Sequence, residues 1–273
     1  MGDELRRRIE TRLGVEAARV VEIDEGWDSL VLEIDDEWIV RVPRREEVRE
    51  AMSLEARLLR ELADALPVPV PRVEVVEDSG DVSFVAYRKL PGGPLDDPPA
   101  SLGPQLAAFL AALHGFPRER ALRAGVPRQP EVIERCRREV LPLLAADERR
   151  RAEEMFGRSR SVEPGEPVLI HGDLGPAHIL RRGPSVTGVI DWSDACVGDA
   201  ALDFAWLLYG TGETFAARLL DAYLRERAAG PGLRERALFY HRLGPWHEVL
   251  FGLEHDREDL VQSGLAGLRA RLP

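Results

Sequence analysis

Residues 168–192 read VLIHGDLGPAHILRRGPSVTGVIDW, and this stretch interrupts an otherwise helical second half of the chain. Two short apolar runs enclose a loop that presents Asp173, then His178, and the second run ends in Asp191. A carboxylate, a polar ligand and a second carboxylate at a strand end are what a kinase uses as catalytic base and Mg²⁺ ligands. The tripeptide at 171–173 alone favours a simpler hypothesis, a turn in which aspartate caps a helix.

Upstream, the chain holds five short β-rich runs: VVEID (20–24), LVLEI (30–34), WIVRV (38–42), RVEVVED (72–78) and SFVAYRKL (83–90). The first connections, EGWDS and DDE, are so short that they favour antiparallel hairpins. Residues 46–66 carry apolar side chains at helical spacing, and PVPVP (67–71) ends this helix because proline lacks the N–H that a helix needs. A further short helix is predicted over 3–13. The first 90 residues therefore predict a five-strand antiparallel sheet with one long helix.

The sharpest change of composition is PGGPLDDPP (91–99), which predicts a hinge or linker. Beyond it, helices are predicted at 101–115, 131–156, 199–209, 212–228, 232–243 and 256–271. The predicted fold class is α+β, with a small N-terminal lobe (1–90), the hinge (91–99) and a larger, mostly helical C-terminal lobe (100–273).

Composition excludes several classes of protein. The 273 residues are 44% hydrophobic and 31% charged, which is not typical of a disordered or membrane protein, and no apolar run approaches the ~20 residues of a membrane span. The charged start MGDELRRRIE does not fit a signal peptide, and two cysteines fit a reducing compartment. A net charge of −11 argues against nucleic acid and favours a cationic small molecule. We expect a cytoplasmic monomer without nucleic-acid or membrane partners.

Two segments, HGDLGPAHIL and GVIDWSDACVGD, closely resemble the catalytic and metal-binding segments of the aminoglycoside phosphotransferase family and its macrolide-kinase relatives. EGWDSLVLEI is similar to the family's nucleotide loop, WIVRVPR to its third strand and SLEARLLREL to its long helix. YGTGETFAARLLDAYL and FYHRLGPWHEVLFGLEH look most like the aminoglycoside 2″-phosphotransferase branch. The resemblance implies a protein-kinase-like two-lobe fold and Mg²⁺-dependent transfer of the γ-phosphoryl group of ATP or GTP to a hydroxyl of an aminoglycoside, a cationic antibiotic.

Carried over by residue, the resemblance implies roles for the loop at residues 171–178, which we call the central loop, and for Asp191 beyond it. Asp173 would be the catalytic base or orient the substrate hydroxyl, and Asp191 would bind Mg²⁺. His178 stands where the family's second metal ligand belongs. Magnesium prefers oxygen ligands, so an imidazole there is a departure from the pattern, and the chain has no Asn to replace it.

The third-strand cation is a second departure. Kinases place a lysine there, whereas the only lysine of this chain is Lys89, far downstream. Arg41 is therefore the expected substitute, paired with Glu55 on the long helix, and Arg44 is the alternative. The nucleotide loop would offer backbone N–H groups and the Ser29 hydroxyl to phosphate, although EGWDS is equally compatible with a plain hairpin turn.

The resemblance also implies a site for the nucleotide base. Tyr87 would take the gatekeeper position, and Arg88 and Leu90 would offer backbone groups to the base edge. Leu180 and Ile190 would form an apolar floor, although both residues equally suit a core strand.

The acceptor site is predicted from carboxylates and one aromatic side chain: Asp194, Glu213, Trp246 and Glu248. Such a cluster would attract a polycationic sugar. The alternative is an ordinary solvated helix face.

Other functions share these features. A macrolide 2′-phosphotransferase or a metabolite kinase would use the same fold, and the two departures leave room for a catalytically weak, nucleotide-binding regulatory protein. A metal-dependent hydrolase built on His171, Asp173 and His178 is a weaker alternative, because no further ligand cluster completes a closed site.

Overall fold

The computed structural model describes residues 2–24, 29–79, 82–159, 165–227, 230 and 232–273. Its N-terminal elements are α1 (Asp3–Leu13), β1 (Val20–Asp24), β2 (Ser29–Ile34), β3 (Trp38–Pro43), α2 (Glu46–Leu62), β4 (Val73–Ser79) and β5 (Val82–Arg88). The strands form one antiparallel sheet in the order β1-β2-β3-β5-β4. The predicted five-strand sheet with one long helix is confirmed.

Helix α2 connects the N-terminal sheet to the rest of the molecule. Its buried side chains recur at helical spacing, and Leu58, Leu59 and Leu62 belong to the large apolar cluster that continues into the C-terminal part. A separate, smaller cluster fills the space between α1 and the sheet. The long helix is therefore held by both halves of the chain, which fixes the sheet relative to the helical part.

The predicted hinge is anchored to the C-terminal part by strand pairing. Strand β6 (Gly93–Pro94) pairs with β8 (Ile179–Arg182), and Thr187 Oγ1 donates a hydrogen bond to the Pro91 carbonyl. Gly92 has a φ of +113°, and a Cβ there would lie 2.5 Å from the Arg181 carbonyl oxygen. Glycine at this position allows the linker to approach strand β8 closely.

The C-terminal part is mostly helical. Its remaining elements are α3 (Gly103–His114), α4 (Arg118–Arg123), α5 (Ile133–Arg135), α6 (Ala146–Ser159), β7 (Val168–Ile170), β9 (Ser185–Val189), β10 (Cys196–Gly198), α7 (Ala205–Tyr209), α8 (Glu213–Glu226), α9 (Leu233–Glu254) and α10 (Glu258–Arg271). Strand β7 pairs with β10, and β8 lies between β6 and β9. Among the described helices, none has the length and apolarity to cross a membrane.

Three predicted helices differ from the structure, since the one expected over 199–209 begins as a 3₁₀ turn at Ala200–Phe204 and becomes α-helical only in α7. The helix expected over 131–156 breaks into α5, a π-turn at Cys136–Val140, a 3₁₀ turn at Leu141–Leu143 and then α6, because Pro142 cannot donate the backbone hydrogen bond that would continue it. The helix expected over 232–243 runs on to Glu254 and includes Pro245. Burial of Pro245 shows that tertiary packing overrides the proline signal there.

Candidate active site

The central loop follows β7 and is fastened by a buried aspartate that lies outside the predicted motif. Asp203 is completely buried, and its two carboxylate oxygens accept hydrogen bonds from the backbone N–H groups of His171 and Gly172, both at 2.9 Å. His114 Nε2 lies 3.2 Å from the same carboxylate, and His114 Nδ1 lies 2.8 Å from the Tyr223 hydroxyl. An acidic residue inside the apolar run ALDFAWLL was the available signal, because buried carboxylates need partners.

Close backbone packing requires a glycine in the loop. Gly172 has a φ of +88°, and a Cβ there would lie 2.2 Å from the backbone oxygen of Asp194. The loop and the segment after Asp191 are therefore in direct contact. This contact brings the two carboxylate-bearing parts of the motif together.

The ring of His171 lies beneath the loop as a neutral structural group. Burial lowers its pKa, Nε2–H donates to the Ile190 carbonyl at 3.0 Å, and the ring packs on Trp192 with centroids 4.7 Å apart. The backbone N–H of Asp173 points to its Nδ1 at 3.4 Å. His171 thus supports the loop from below and leaves Asp173 exposed.

Asp173, His178 and Asp191 converge at the surface of this loop. His178 Nδ1 donates to the backbone carbonyl of Asp173 at 2.7 Å and lies 3.7 Å from its Oδ2, while His178 Nε2 lies 3.7 Å from Asp191 Oδ2. Asp191 has a φ of +63°, an uncommon backbone conformation for a residue other than glycine. The three side chains predicted from the motif are therefore brought together.

The second oxygen of Asp191 faces the N-terminal lobe. Its Oδ1 accepts a hydrogen bond from Ser193 Oγ at 3.0 Å and lies 3.5 Å from Arg41 Nη2. Burial opposes ionisation of this carboxyl, but the charge of Arg41, the neighbouring His178 ring and the hydrogen bond from Ser193 outweigh it, so the pKa of Asp191 lies below its ordinary value. The carboxylate is available on its Oδ2 side as an anion.

Arg41 and Glu55 form the predicted ion pair across the lobe. Arg41 Nη1 lies 2.8 Å from both carboxylate oxygens of Glu55, and both residues are buried. The backbone N–H of Trp192 donates to the same carboxylate at 3.2 Å. Burial disfavours the charge of Arg41, but Glu55, Tyr87 and Asp191 outweigh it and raise its pKa. The pair therefore joins β3, α2 and the segment after Asp191.

The residues expected around the nucleotide base lie on both sides of the linker. Tyr87 is buried on β5 opposite Ile39, and burial raises the pKa of its hydroxyl. Leu90 and Leu180 approach one another over Gly188, where a Cβ would lie 2.7 Å from Leu90 Cδ1 and 3.5 Å from Leu180 Cδ1. An apolar patch thus lies beside the linker.

The other members of this set have different surroundings. The N–H of half-buried Ile190 donates to the His178 carbonyl at 2.9 Å, which ties it to the central loop. The side chain of Arg88 turns outward, stacks over Trp38 at 3.9 Å and pairs with Glu37, so only its backbone could serve a base. Ser29 is buried at the start of β2, and the rest of the expected nucleotide loop, 25–28, lies outside the described residues.

The residues expected to bind the acceptor have different surroundings. Trp246 as a substrate contact is wrong: it is completely buried and packs against Phe156 with centroids 5.0 Å apart, because the helix turns this position toward α6. Glu248 is half-buried on α9, and its charge opposes the lowering of the Arg271 pKa that burial causes. Glu213 is exposed where α8 begins, and exposed Asp194 contributes to a cleft of about 290 Å³ at the start of α2.

An aromatic group beside the central loop was also missed. Half-buried Trp206 adjoins Gly175, whose Cβ would lie 3.9 Å from its side chain, and Arg271 stacks on the Trp206 ring at 4.8 Å. His241 contacts the same ring edge-on at 5.0 Å. In the sequence, Trp206 reads as one more apolar position of a buried helix, so the pattern carried no signal for it.

The chain is similar to a known protein family and to individual bacterial proteins. The model of the family described as "Phosphotransferase enzyme family" matches residues 19–239. "Uncharacterized protein YcbJ" of Bacillus subtilis (strain 168) is 33% identical over 238 residues, 73% of each chain. Viomycin phosphotransferase of Streptomyces vinaceus is 26% identical over 202 residues, 68% of this chain and 69% of that protein.

Solved structures show the same fold over almost the whole chain. The GDP and kanamycin complex of APH(2")-IIia superposes with a TM-score of 0.86 at 26% identity, covering 98% of each chain. The apoenzyme of macrolide 2'-phosphotransferase MphH from Brachybacterium faecium gives a TM-score of 0.80 at 27% identity, covering 96% of each chain. The kinase-like arrangement of a β-sheet lobe above a helical lobe is therefore shared with both proteins.

Proposed function

The chain belongs to the phosphotransferase enzyme family, and we propose that it transfers the γ-phosphoryl group of ATP or GTP to a hydroxyl of an aminoglycoside antibiotic. One observation carries the proposal: the exposed carboxylate of Asp173 lies beside His178 and Asp191 on a loop whose backbone is fixed by buried Asp203. Phosphoryl transfer depends on positioning and on charge neutralisation more than on covalent catalysis. A rigid loop that presents these groups meets that requirement.

We propose that Asp173 binds the hydroxyl of the acceptor. Its carboxylate is half exposed, and a carboxylate can accept the hydrogen bond of a hydroxyl, so it can orient the hydroxyl and take its proton. The backbone on either side of it is held by Asp203 and by His178, which limits the positions that the carboxylate can reach. Asp173 is therefore proposed as the catalytic base.

The residues present fit a divalent cation. Asp191 Oδ2 and His178 Nε2 are 3.7 Å apart, less than the sum of two metal–ligand distances of about 2.1 Å, so one ion can be bound by both. No group of three or more His, Cys, Asp or Glu side chains within the described ranges could hold a metal by itself. The other ligands would be phosphate oxygens and water, as is usual for Mg²⁺. Bound Mg²⁺ would neutralise charge on the transferred phosphate.

The nucleotide would lie between the sheet and the central loop. Arg41 is held in place by Glu55 and points a second guanidinium nitrogen toward Asp191, so it is placed to hold phosphate oxygens. Tyr87, Leu90 and Leu180 offer apolar surface for the base. The GDP in the complex of APH(2")-IIia supports a purine nucleotide as the donor.

The acceptor is proposed from charge and from the neighbouring structures. Exposed Asp194 and Glu213, with half-buried Glu248, are carboxylates whose charge would attract a polycationic antibiotic, and kanamycin is bound in the APH(2")-IIia complex. A macrolide is the second candidate, because the Trp206 ring adjoins the central loop at Gly175 and offers apolar surface to a large ring.

The decisive experiment offers the purified protein Mg²⁺ with ATP or GTP and one acceptor at a time: kanamycin, gentamicin, erythromycin or none. We expect one phosphoryl mass to be added to an aminoglycoside by mass spectrometry. Asp173→Asn should lower kcat by about 10²–10⁴-fold with nucleotide affinity unchanged. Addition to erythromycin alone would replace the aminoglycoside with a macrolide. Addition to no acceptor would refute the antibiotic substrate.

A further inference from the structure

The only lysine of the chain, Lys89, lies between β5 and the linker and binds a turn more than fifty positions away. Its Nζ lies 2.7 Å from Glu33 Oε2 at the end of β2 and also pairs with Asp36. Its backbone N–H donates to the Glu37 carbonyl at 2.8 Å. Lys89 is thus bound to the β2–β3 turn through both its side chain and its backbone. We call these contacts of Lys89 the linker clamp.

The β2–β3 turn is a well-defined anchor for the linker clamp. Asp35 and Asp36 have φ values of +54° and +59°, as both central residues of a type I′ hairpin turn require. The Glu37 N–H donates to the Ile34 carbonyl at 3.0 Å, which closes the turn. The Asp35 carboxylate accepts a hydrogen bond from the Arg19 N–H at 2.7 Å. The Asp36 carboxylate is therefore presented from a backbone that is itself held in place.

Arg88 adds a second connection to the same turn. Its guanidinium stacks over the Trp38 ring at 3.9 Å, and Nη1 donates to Glu37 Oε2 at 2.8 Å. The exposed fraction of the side chain falls from 54% for Arg88 to 31% for Lys89 and 11% for Glu33. Ion pairs that are partly removed from water are screened less than exposed ones. We therefore expect the Lys89–Glu33 pair to contribute most to the connection.

The linker clamp acts on the part of the backbone that is expected to meet the nucleotide base. Arg88 and Leu90 are the residues whose backbone groups would face the base edge, and Lys89 lies between them. The N–H of Lys89 itself is already used by Glu37. Holding Lys89 therefore holds the backbone on both sides of it.

We propose that Lys89 is a positioning residue for the nucleotide: it fastens the start of the linker to the β2–β3 turn and so raises nucleotide affinity through contacts with protein groups alone. The inference rests on the proposed function, because it needs a nucleotide bound between the lobes. A ligand that meets a preorganised backbone loses less binding free energy to ordering that backbone. Loss of the linker clamp should weaken nucleotide binding and leave the chemistry at Asp173 unchanged.

The experiment measures the Kd of ADP and GDP by calorimetry on the full chain with Mg²⁺ present. Lys89→Met should raise Kd about three- to tenfold, and Glu33→Gln should raise it in the same direction from the other side of the pair. Lys89→Arg keeps the charge and should stay within about twofold of wild type. The kcat of Lys89→Met at saturating nucleotide should equal that of wild type. Arg150→Met is the matched control, since it also removes one positive charge and one exposed ion pair, on α6, and should leave Kd unchanged.

The salt dependence of Kd distinguishes an electrostatic connection from a role in packing. The ratio of Kd between Lys89→Met and wild type should fall as the KCl concentration rises, because salt screens the pairs of Lys89 in wild type only.

The outcomes separate this inference from the proposed function. An unchanged Kd in Lys89→Met, or equal losses in Lys89→Met and Lys89→Arg, overturns the role of Lys89 and leaves the kinase proposal standing. A large fall in the thermal unfolding midpoint of nucleotide-free Lys89→Met, with kcat reduced as much as affinity, makes Lys89 a general structural residue and also overturns the inference. If wild type binds neither nucleotide, the inference and the proposed function both fail.

Discussion

Removing one partner of the buried Arg41–Glu55 pair should destabilise the protein strongly. Arg41→Met keeps the length of the side chain but leaves the Glu55 carboxylate, 5% exposed, with the Trp192 N–H as its remaining hydrogen-bond donor in the described structure. An uncompensated buried charge costs about 3–5 kcal/mol, so the free energy of unfolding should fall by that amount. Glu55→Leu should cause a smaller loss, because the guanidinium that it leaves buried keeps the Asp191 carboxylate as a partner at 3.5 Å.

The double variant Arg41→Met/Glu55→Leu separates the contribution of the two charges to stability from that of side-chain packing. With both charges of the pair gone, Asp191 loses Arg41 but is partly exposed and keeps Ser193 and His178 beside it, so the free energy of unfolding should return to within about 2 kcal/mol of wild type. Urea unfolding followed by tryptophan fluorescence gives all four values. The control is Arg49→Met, since the Arg49–Asp78 pair is partly exposed and should contribute less than about 1 kcal/mol.

Two results would refute this reasoning. A loss below about 1 kcal/mol in Arg41→Met would show that the carboxylate finds water or another partner. Additive losses in the double variant would show that the two residues stabilise the fold through packing and not through their mutual charge.

Two further predictions concern the backbone at Gly172 and the protonation of the buried His241 ring. Gly172→Ala should lower kcat at least about tenfold, because its Cβ would lie 2.2 Å from the Asp194 oxygen and must shift the loop. The control is Gly183→Ala: this glycine also has a positive φ but nothing within 4 Å, so the variant should lose only about 1 kcal/mol of stability and keep its activity. Equal kinetics in the two variants would contradict the steric argument. Burial lowers the pKa of His241 from 6.5 to about 4, so below pH 6.5 the unfolded chain binds a proton that the folded one does not, and stability falls until about pH 4. The stability difference between wild type and His241→Phe should therefore change by about 1–3 kcal/mol across that window in thermal unfolding, and a pH-independent difference would show an ordinary pKa.

Much of the fold follows from local signals. Short connections force neighbouring strands into antiparallel hairpins, and apolar spacing identifies α2. The order of Asp173, His178 and Asp191 along the chain is enough to identify the central loop, and folding brings the three side chains together. These features depend on residues close in sequence.

Other parts of the site depend on contacts between distant residues. Asp203 holds the loop from 31 and 32 positions away, and the Trp192 N–H reaches Glu55 across 137 positions. Trp246 was predicted to lie in the site but lies in the core, and only the packing of α9 on α6 decides this. Helical spacing alone does not distinguish a side chain that faces a neighbouring helix from one that faces a cleft.

The sequence by itself determined the order of the strands along the chain, the long helix and the three side chains of the motif, Asp173, His178 and Asp191. Hydrogen bonding within a helix or hairpin and the periodicity of apolar residues act over a few positions, so they are legible without the fold. The tertiary structure decided which buried carboxylate anchors the loop, how Asp191 divides its two oxygens between Arg41 and His178, and which aromatic side chain adjoins the loop at Gly175. Those choices depend on desolvation and close packing among residues that meet only when the chain has folded.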